Sequence, residues 1–183
     1  MFDETVSRDD VEFTAYSMDW QVVDKQDASV AVPFRLIYRP PGSTGLVSYV
    51  EDAVVALRYL ETDDRAAGAL DSIRTRLSMY DAEHVLASLR GAQSADEARL
   101  ALRSTAVMAP QVCEPQWYEA IGPWFDNPHR GVRLTAVLVA AYLAWPELAP
   151  LLEHLAASDL DTDVREDARV LLERMRRGLA RIQ

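Results

Sequence analysis

Lysine, cysteine and long apolar runs are rare or missing in this chain of 183 residues. Of its 19 basic residues only Lys25 is lysine, and the others are arginine. Arginine suits bidentate recognition of anions, but arginine and alanine share GC-rich codons, so genome composition explains their joint abundance better. The single cysteine, Cys113, excludes an internal disulfide, and without clustered Cys or His there is no structural zinc site to propose.

No stretch of the sequence is apolar over the length that a membrane-spanning helix needs. The first five residues contain two acids, Asp3 and Glu4, where a secretory signal would be basic and then apolar. From both absences we expect a soluble, cytoplasmic protein.

Motifs for catalysis and for phosphate or metal binding are also missing. The three histidines are far apart and none lies in an HExxH context, and no GxSxG, P-loop or GxGxxG occurs. Asp159, Asp161 and Asp163 alternate as at the start of a calcium loop, but Val164 and Val170 stand where that loop needs glycine and glutamate. We interpret these acids as a turn that caps the next helix. We expect no catalytic residue, no cofactor and no metal.

The formal net charge is −10, and most of it lies in the first third of the chain. Residues 1–64 hold 13 acids and 5 bases, whereas residues 65–183 hold 16 acids and 14 bases. Such a field repels nucleic acid and anionic membranes and attracts basic proteins. We therefore expect a protein partner, and a basic one, with four acids as candidate contacts: Asp9, Asp10, Glu12 and Asp19.

The N-terminal part, residues 1–62, predicts a small antiparallel β-sheet. Residues 1–12 have little apolar content and predict a frayed arm, and aromatic and β-branched residues favour strand over helix in residues 11–32. Residues 34–38 predict a strand that ends at a loop over 40–45. Residues 46–60 fit both a helix and a β-hairpin, and we prefer the hairpin because the preceding strand needs partners.

From residue 63 the apolar period changes to that of helices, so the predicted fold class is α+β, mainly α. Helices are predicted over 64–77, 81–91 and 94–110, the second ending at Gly91 in the left-handed conformation. A helix-pair pattern then occurs twice between residues 117 and 177. Its anchor positions recur 32 residues later: Val132, Arg133 and Ala136 return as Val164, Arg165 and Ala168. A degenerate copy around Ala98, Arg99 and Leu102 precedes them by 34 residues. A fixed period of this size is typical of stacked helical repeats.

At these residues the chain resembles the HEAT-repeat superfamily, particularly its short bacterial HEAT-like repeats, over roughly residues 81–177. The motif is an acidic turn followed by Val-Arg-x-x-Ala. The resemblance implies a short α-solenoid of about three helix pairs, in which Arg133 and Arg165 pair with acids of neighbouring turns. We expect residues 63–183 to form this part and to fold as one cooperative unit with the N-terminal sheet.

The resemblance is informative about fold and weak for function, since the superfamily contains scaffolds, adaptors, inhibitors and a few enzymes. We expect a non-catalytic protein-interaction module, an adaptor or scaffold, with an immunity or inhibitor protein as a narrower form. Tyr118, Arg130 and Arg169 are further candidate contacts, while Trp117 and Trp124 are expected to fill the core. The alternative is an enzyme resembling HEAT-like DNA glycosylases, which grip duplex DNA. Its basic stripe would consist of Arg99, Arg103, Arg130, Arg133, Arg165 and Arg169. The sequence leaves the oligomeric state open.

Overall fold

A computed structural model describes residues 1–30 and 32–179. In this part of the chain it has one four-stranded antiparallel sheet and eight α-helices, which confirms the α+β, mainly α class. The chain divides into two compact units, Met1–Asp81 and Ala82–Gln183. The sheet ends at residue 62, so the first unit also contains the helix that follows the sheet. Among the described residues, every helix is too short or too polar to cross a lipid bilayer.

The first unit begins with a helix that the sequence did not predict. Helix α1 spans Arg8–Ser17, and its start is fixed by a capping box in which Ser7 and Asp10 each bond the other's backbone N–H. Val11, Thr14 and Ala15 form its buried side. The prediction of a frayed arm over residues 1–12 is therefore wrong. The preference for strand over residues 11–32 is wrong for residues 11–17, which belong to α1. One buried stripe and one cap suffice for this helix, although its outward face also carries aromatic residues.

The sheet contains β1 (Gln21–Gln26), β2 (Phe34–Arg39), β3 (Val47–Asp52) and β4 (Leu57–Thr62), paired in sequence order. The predicted strand over 34–38 and the hairpin over 46–60 are confirmed, whereas Ala31 lies outside the described residues. In the register of the central strands, Leu36 pairs with Tyr49, and Tyr49 pairs with Leu60. Residues of the apolar face are spaced by two in β2 and β3, as expected for a sheet covered on one side.

Aromatic side chains dominate the core of the first unit. Tyr49 is fully buried, with the rings of Phe2 and Phe34 at 6.0 and 6.5 Å from its own. After β4, Asp63 caps a short 3₁₀ turn, and α2 (Ala67–Arg74) adds the buried Ile73. A side chain at Gly45 would lie 2.2 Å from the Asp63 carboxylate and 2.6 Å from a backbone nitrogen, so this close approach requires glycine.

The second unit is helical. Its elements are α3 (Ala82–Gly91), α4 (Ala95–Met108), α5 (Pro115–Ile121), α6 (Arg130–Leu143), α7 (Ala149–Ser158) and α8 (Thr162–Arg176). Ser94 caps α4 by accepting a bond from the Glu97 backbone N–H, and Asp161 caps α8 by accepting bonds from two backbone N–H groups. Gly91 is the last residue of α3 but does not adopt the left-handed conformation that we expected. At Gly122, directly before Pro123, α5 changes to a 3₁₀ segment that spans Gly122–Asp126.

Helix α6 is the most buried element of the second unit. It packs against α4 and α8, and α7 packs against α8. Its buried residues point to several sides of the helix: Val132, Thr135, Ala136, Val137, Val139, Ala140, Ala141 and Leu143. By contrast, α8 buries only Val164, Ala168, Leu171 and Leu172. Helix α6 is thus covered on two sides, while α8 keeps one polar face.

Candidate functional site

Arg133 lies on α6 and binds the turn between α7 and α8. Its Nε and Nη2 donate to the two carboxylate oxygens of Asp159 at 2.6 and 2.8 Å, and its Nη1 donates to the carbonyls of Asn127 and Pro128. Only 2% of the Asp159 side chain and 13% of the Arg133 side chain are exposed. The bidentate bond from Arg133 lowers the pKa of Asp159, and the pKa of Arg133 is raised in return. The geometry is that of a structural ion pair.

Two more arginines bind the same turn, and we call the set the arginine ladder: Arg130, Arg133 and Arg165 with Asp159, Asp161 and Asp163. Arg130 Nε lies 2.6 Å from an Asp161 oxygen, and its Nη2 donates to Asp163. Arg165 donates to the carbonyl of Asp159 at 2.5 Å and to the Thr162 hydroxyl at 2.9 Å. The resemblance implied an acid partner for Arg165, whereas its hydrogen bonds go to a carbonyl and a hydroxyl.

The alternating aspartates of this turn are occupied by protein donors. Asp161 accepts from the backbone N–H groups of Asp163 and Val164, and Asp159 accepts from that of Asp161. Among the described residues, no three His, Cys, Asp or Glu side chains are grouped to hold a metal ion. The turn's hydrogen bonds are those of a helix cap.

Two of the remaining arginines of the proposed DNA-binding stripe pair with acids of their own helices. Arg99 lies 3.6 Å from Asp96, and Arg169 donates to Glu166 at 2.6 Å, each pair being one helical turn apart. The Nε of Arg103 is buried and has no hydrogen-bond partner among the described residues. Because carboxylates face so many of these arginines, the stripe presents little net positive charge. The structure thus brings Arg130 into the ladder and leaves Arg169 in a separate exposed pair; their roles in partner binding stay predictions.

The four acids predicted as partner contacts differ in their surroundings. All four are exposed. Asp10 belongs to the capping box, where hydrogen bonds from the Ser7 hydroxyl and backbone lower its pKa. Asp19 follows α1 with a positive φ of 56°, outside the helix. Asp9 and Glu12 lie on one outward face of α1, and their carboxylates make no hydrogen bond or ion pair with the chain as far as it is described.

Two aromatic residues that the sequence did not single out share this face. Phe13 and Tyr16 are 72% and 80% exposed, high values for large apolar side chains. Residues 9, 12, 13 and 16 follow the i, i+3, i+4, i+7 spacing of one helical face. We call this set, Asp9, Glu12, Phe13 and Tyr16, the α1 stripe. The signal for it was the Ser7 to Asp10 capping pattern, which predicts a helix and so places the four residues together.

The first unit itself shows how a carboxylate and an aromatic ring hold an arginine. The Arg8 guanidinium lies 3.8 Å from the centre of the Phe34 ring, and its Nε donates to Glu51 at 2.9 Å. Tyr49 also donates to Glu51, at 2.7 Å. Arg8 lowers the pKa of Glu51, which stays ionised. Cation–π contact and ion pairing therefore act on the same guanidinium.

The other sequence candidates are less informative. Trp117 is buried as expected, whereas Trp124 and Tyr118 are partly buried.

One unpredicted constellation, Ser158, His154 and Asp126, has the residue types of a hydrolase triad. Its distances of 3.5 and 3.7 Å are long, His154 and Asp126 are two-thirds or more exposed, and the serine hydroxyl donates to the His154 carbonyl. This arrangement lacks the geometry of a serine activated by a base.

No protein-family model matches the chain, and no curated protein or solved structure matches it significantly.

Proposed function

We propose that this protein is a non-catalytic interaction module that binds a basic protein partner. The observation that carries the proposal is the exposure of the α1 stripe, in which two large aromatic rings stand in solvent beside two carboxylates. Exposed aromatic groups of this kind are typical of surfaces that anchor a partner. The excess of acids over bases in residues 1–64 favours a partner of opposite charge.

We further propose that residues 82–177 form a short HEAT-like stack of helix pairs. In support, the anchor residues Val132, Ala136, Val164 and Ala168 are all fully buried, as equivalent positions of two repeats should be. Helix α6 packs against α4 and α8, which contain the preceding and following copies of the motif. The arginine ladder links α6 to the turn of the next pair. Such a stack is a scaffold whose role is to hold a surface in place.

The DNA glycosylase alternative has less support. Neutral or acidic surfaces bind DNA poorly because most of the affinity comes from phosphate contacts with basic side chains. In this chain, carboxylates face four of the arginines that would form the stripe: Arg99, Arg130, Arg133 and Arg169. We therefore place the function among adaptors and inhibitors, with an immunity protein as the narrower form.

Affinity capture with the full chain as bait tests the proposal, provided that the captured protein is then purified and titrated. We expect a basic protein that binds in a defined stoichiometry and whose affinity falls as salt rises. A parallel titration uses duplex DNA at low salt. Binding of DNA tighter than about 10⁻⁶ M, beyond the usual non-specific range, would contradict the proposal.

A further inference from the structure

We infer that the α1 stripe docks a helical segment of the partner that carries two arginines one turn apart. This inference rests on the proposed function and specifies the chemistry of its partner. The stripe consists of two carboxylate and aromatic pairs, Asp9 with Phe13 and Glu12 with Tyr16, each separated by one helical turn. Residues spaced in this way have Cβ atoms about 5 to 6 Å apart. Each pair therefore offers one guanidinium both a ring face and a carboxylate.

The Arg8 site is the internal precedent for this chemistry. There Phe34 supplies the ring and Glu51 the carboxylate, and both act on one guanidinium. Each pair of the stripe likewise combines a carboxylate with an aromatic ring, but in the part of the chain that the structure describes no cation pairs with these carboxylates. Arginine fits better than lysine because its planar guanidinium stacks on a ring while its N–H groups bond a carboxylate.

The spacing of the two pairs favours a helical partner. They are offset by three residues along α1, or about 4.5 Å at 1.5 Å per residue. Arginines at i and i+4 of a partner helix project from the same face at a similar separation. An apolar residue between them would cover the remaining ring surface. A lipid surface fits less well, because Asp9 and Glu12 would face its anionic headgroups.

The neighbouring sheet edge does not provide an equally good surface. Strand β1 is at the end of the sheet, and its pairing with β2 shifts register between Val22 and Asp24. It also carries Lys25, the only lysine of the chain. Irregular pairing and lysine are features that prevent another strand from adding to an edge. Docking through the helix face is therefore preferred to strand addition.

The test uses the full chain and a fluorescein-labelled, alanine-based helical peptide with arginines at i and i+4 and a leucine between them. Binding is followed by fluorescence anisotropy at about 150 mM salt, where the field of distant charges is largely screened. A matched peptide has lysine in place of arginine. We expect the arginine peptide to bind at least about threefold more tightly than the lysine peptide.

Three variants separate the contributions of rings and charges. Phe13→Ala/Tyr16→Ala should weaken binding about tenfold, since two exposed cation–π contacts are lost. Phe13→Leu/Tyr16→Leu keeps apolar area and should abolish the preference for arginine over lysine. Asp9→Asn/Glu12→Gln should weaken binding severalfold and flatten its salt dependence. Because all four side chains are exposed, we expect unchanged melting temperatures.

Matched controls lie elsewhere on the chain. Asp64→Asn/Asp71→Asn removes the same charge from exposed positions of the first unit, and Val112→Ala/Leu160→Ala removes apolar side chains that are 76% and 97% exposed. Both controls should bind the arginine peptide within about twofold of wild type, in keeping with the small effect of distant, screened charges.

Three results would overturn the inference. The first is wild-type affinity in the Phe13→Ala/Tyr16→Ala variant, and the second is equal weakening by Asp64→Asn/Asp71→Asn and Asp9→Asn/Glu12→Gln. The third is a wild-type protein that is a dimer in solution and becomes a monomer in the Phe13→Ala/Tyr16→Ala variant. The α1 stripe would then bind a second copy of this chain. The first two outcomes leave the proposed function intact. Self-association through the stripe would remove the observation that carries the proposed function, and tight binding of duplex DNA would remove the proposed function itself.

Discussion

At the scale of single residues, Asp159 joins Arg133, Arg165 and the Asp161 backbone. Its carboxylate accepts from Arg133 and from the Asp161 backbone, and its carbonyl accepts from Arg165. Because the side chain is buried, loss of its charge would leave the Arg133 guanidinium without a counter-ion in a poorly solvated place. Such a loss costs far more than loss of an exposed ion pair.

Asp159→Asn should lower the free energy of unfolding by about 2 to 4 kcal/mol at neutral pH. The matched control is Glu166→Gln, which breaks the exposed pair with Arg169 and should cost less than about 0.5 kcal/mol. Urea denaturation measures both. A smaller effect for Asp159→Asn than for Glu166→Gln would mean that the ladder does not hold the turn.

The ion pair between Arg133 and Asp159 should make the free energy of unfolding depend on pH. The folded-state pKa of Asp159 lies below its ordinary value, so its contribution is present above the unfolded pKa of about 3.9 and is lost as pH falls through the folded value. The difference in unfolding free energy between wild type and Asp159→Asn should therefore shrink below about pH 4. A difference that stays constant down to pH 2 would contradict the assigned ion pair.

Tyr38 has a buried polar group whose removal, unlike that of the Asp159 charge, should not lower stability. It is 2% exposed, and in the described part of the chain its buried hydroxyl has no hydrogen-bond partner; burial, with a contribution from Glu12, raises its pKa to about 12. Tyr38→Phe removes this unpaired group and keeps the ring that contacts Trp20 at 6.0 Å. Thermal unfolding should show unchanged or higher stability, by up to about 1 kcal/mol. A loss above 1 kcal/mol would mean that the hydroxyl is bonded.

At the scale of elements, the sequence predicted those whose burial is periodic. Val132, Ala136, Val164 and Ala168 are spaced as one side of a helix needs, and all are fully buried. Strand β2 and the hairpin were predicted from alternation and from the need of a strand for partners. Helix α1 was missed because its buried side has only Val11 and two small residues, while its aromatic residues face outward.

The contacts of the candidate sites could be predicted only in part. The acidic turn and the arginines were visible in the sequence, but the pairing of Arg130 with Asp161 and Asp163 joins residues more than 30 positions apart. Sequence spacing does not fix such a contact, which depends on the packing of α6 against α8. Likewise, the α1 stripe exists only once α1 is known to be a helix.

The small size of two buried alanines predicts severe effects of substitution. Ala136→Asp and Ala168→Asp would each place an unpaired charge at a fully buried position of α6 or α8, at a cost of several kcal/mol. Ala157→Asp on the exposed side of α7 is the control and should change stability by less than about 0.5 kcal/mol. Melting temperatures of the three variants compare them. Unchanged values for Ala136→Asp and Ala168→Asp would mean that the repeat register is wrong.

At the scale of the whole molecule, charge and contact surface have separable effects on binding. The net charge of −10 is concentrated in residues 1–64, so its field would attract the proposed basic partner before contact with the α1 stripe. Exposed charges outside a contact act mainly on the association rate, while groups inside it act on the dissociation rate as well. Kinetic measurements can therefore tell steering acids from contacting acids.

Asp19→Asn/Asp64→Asn/Asp71→Asn neutralises three exposed acids outside the stripe. At low salt this variant should associate with the arginine peptide about two- to fivefold more slowly, because less opposite charge attracts the peptide, and should dissociate at the wild-type rate. Asp9→Asn/Glu12→Gln should both slow association and speed dissociation, since in the proposed docking these carboxylates contact the arginines. Raising the salt concentration should remove the defect of the triple variant and leave the dissociation defect of the double variant, because screening weakens distant charges first. Stopped-flow fluorescence measures all four rates. Equal dissociation rates in the two variants would place Asp9 and Glu12 among the steering acids and outside the contact.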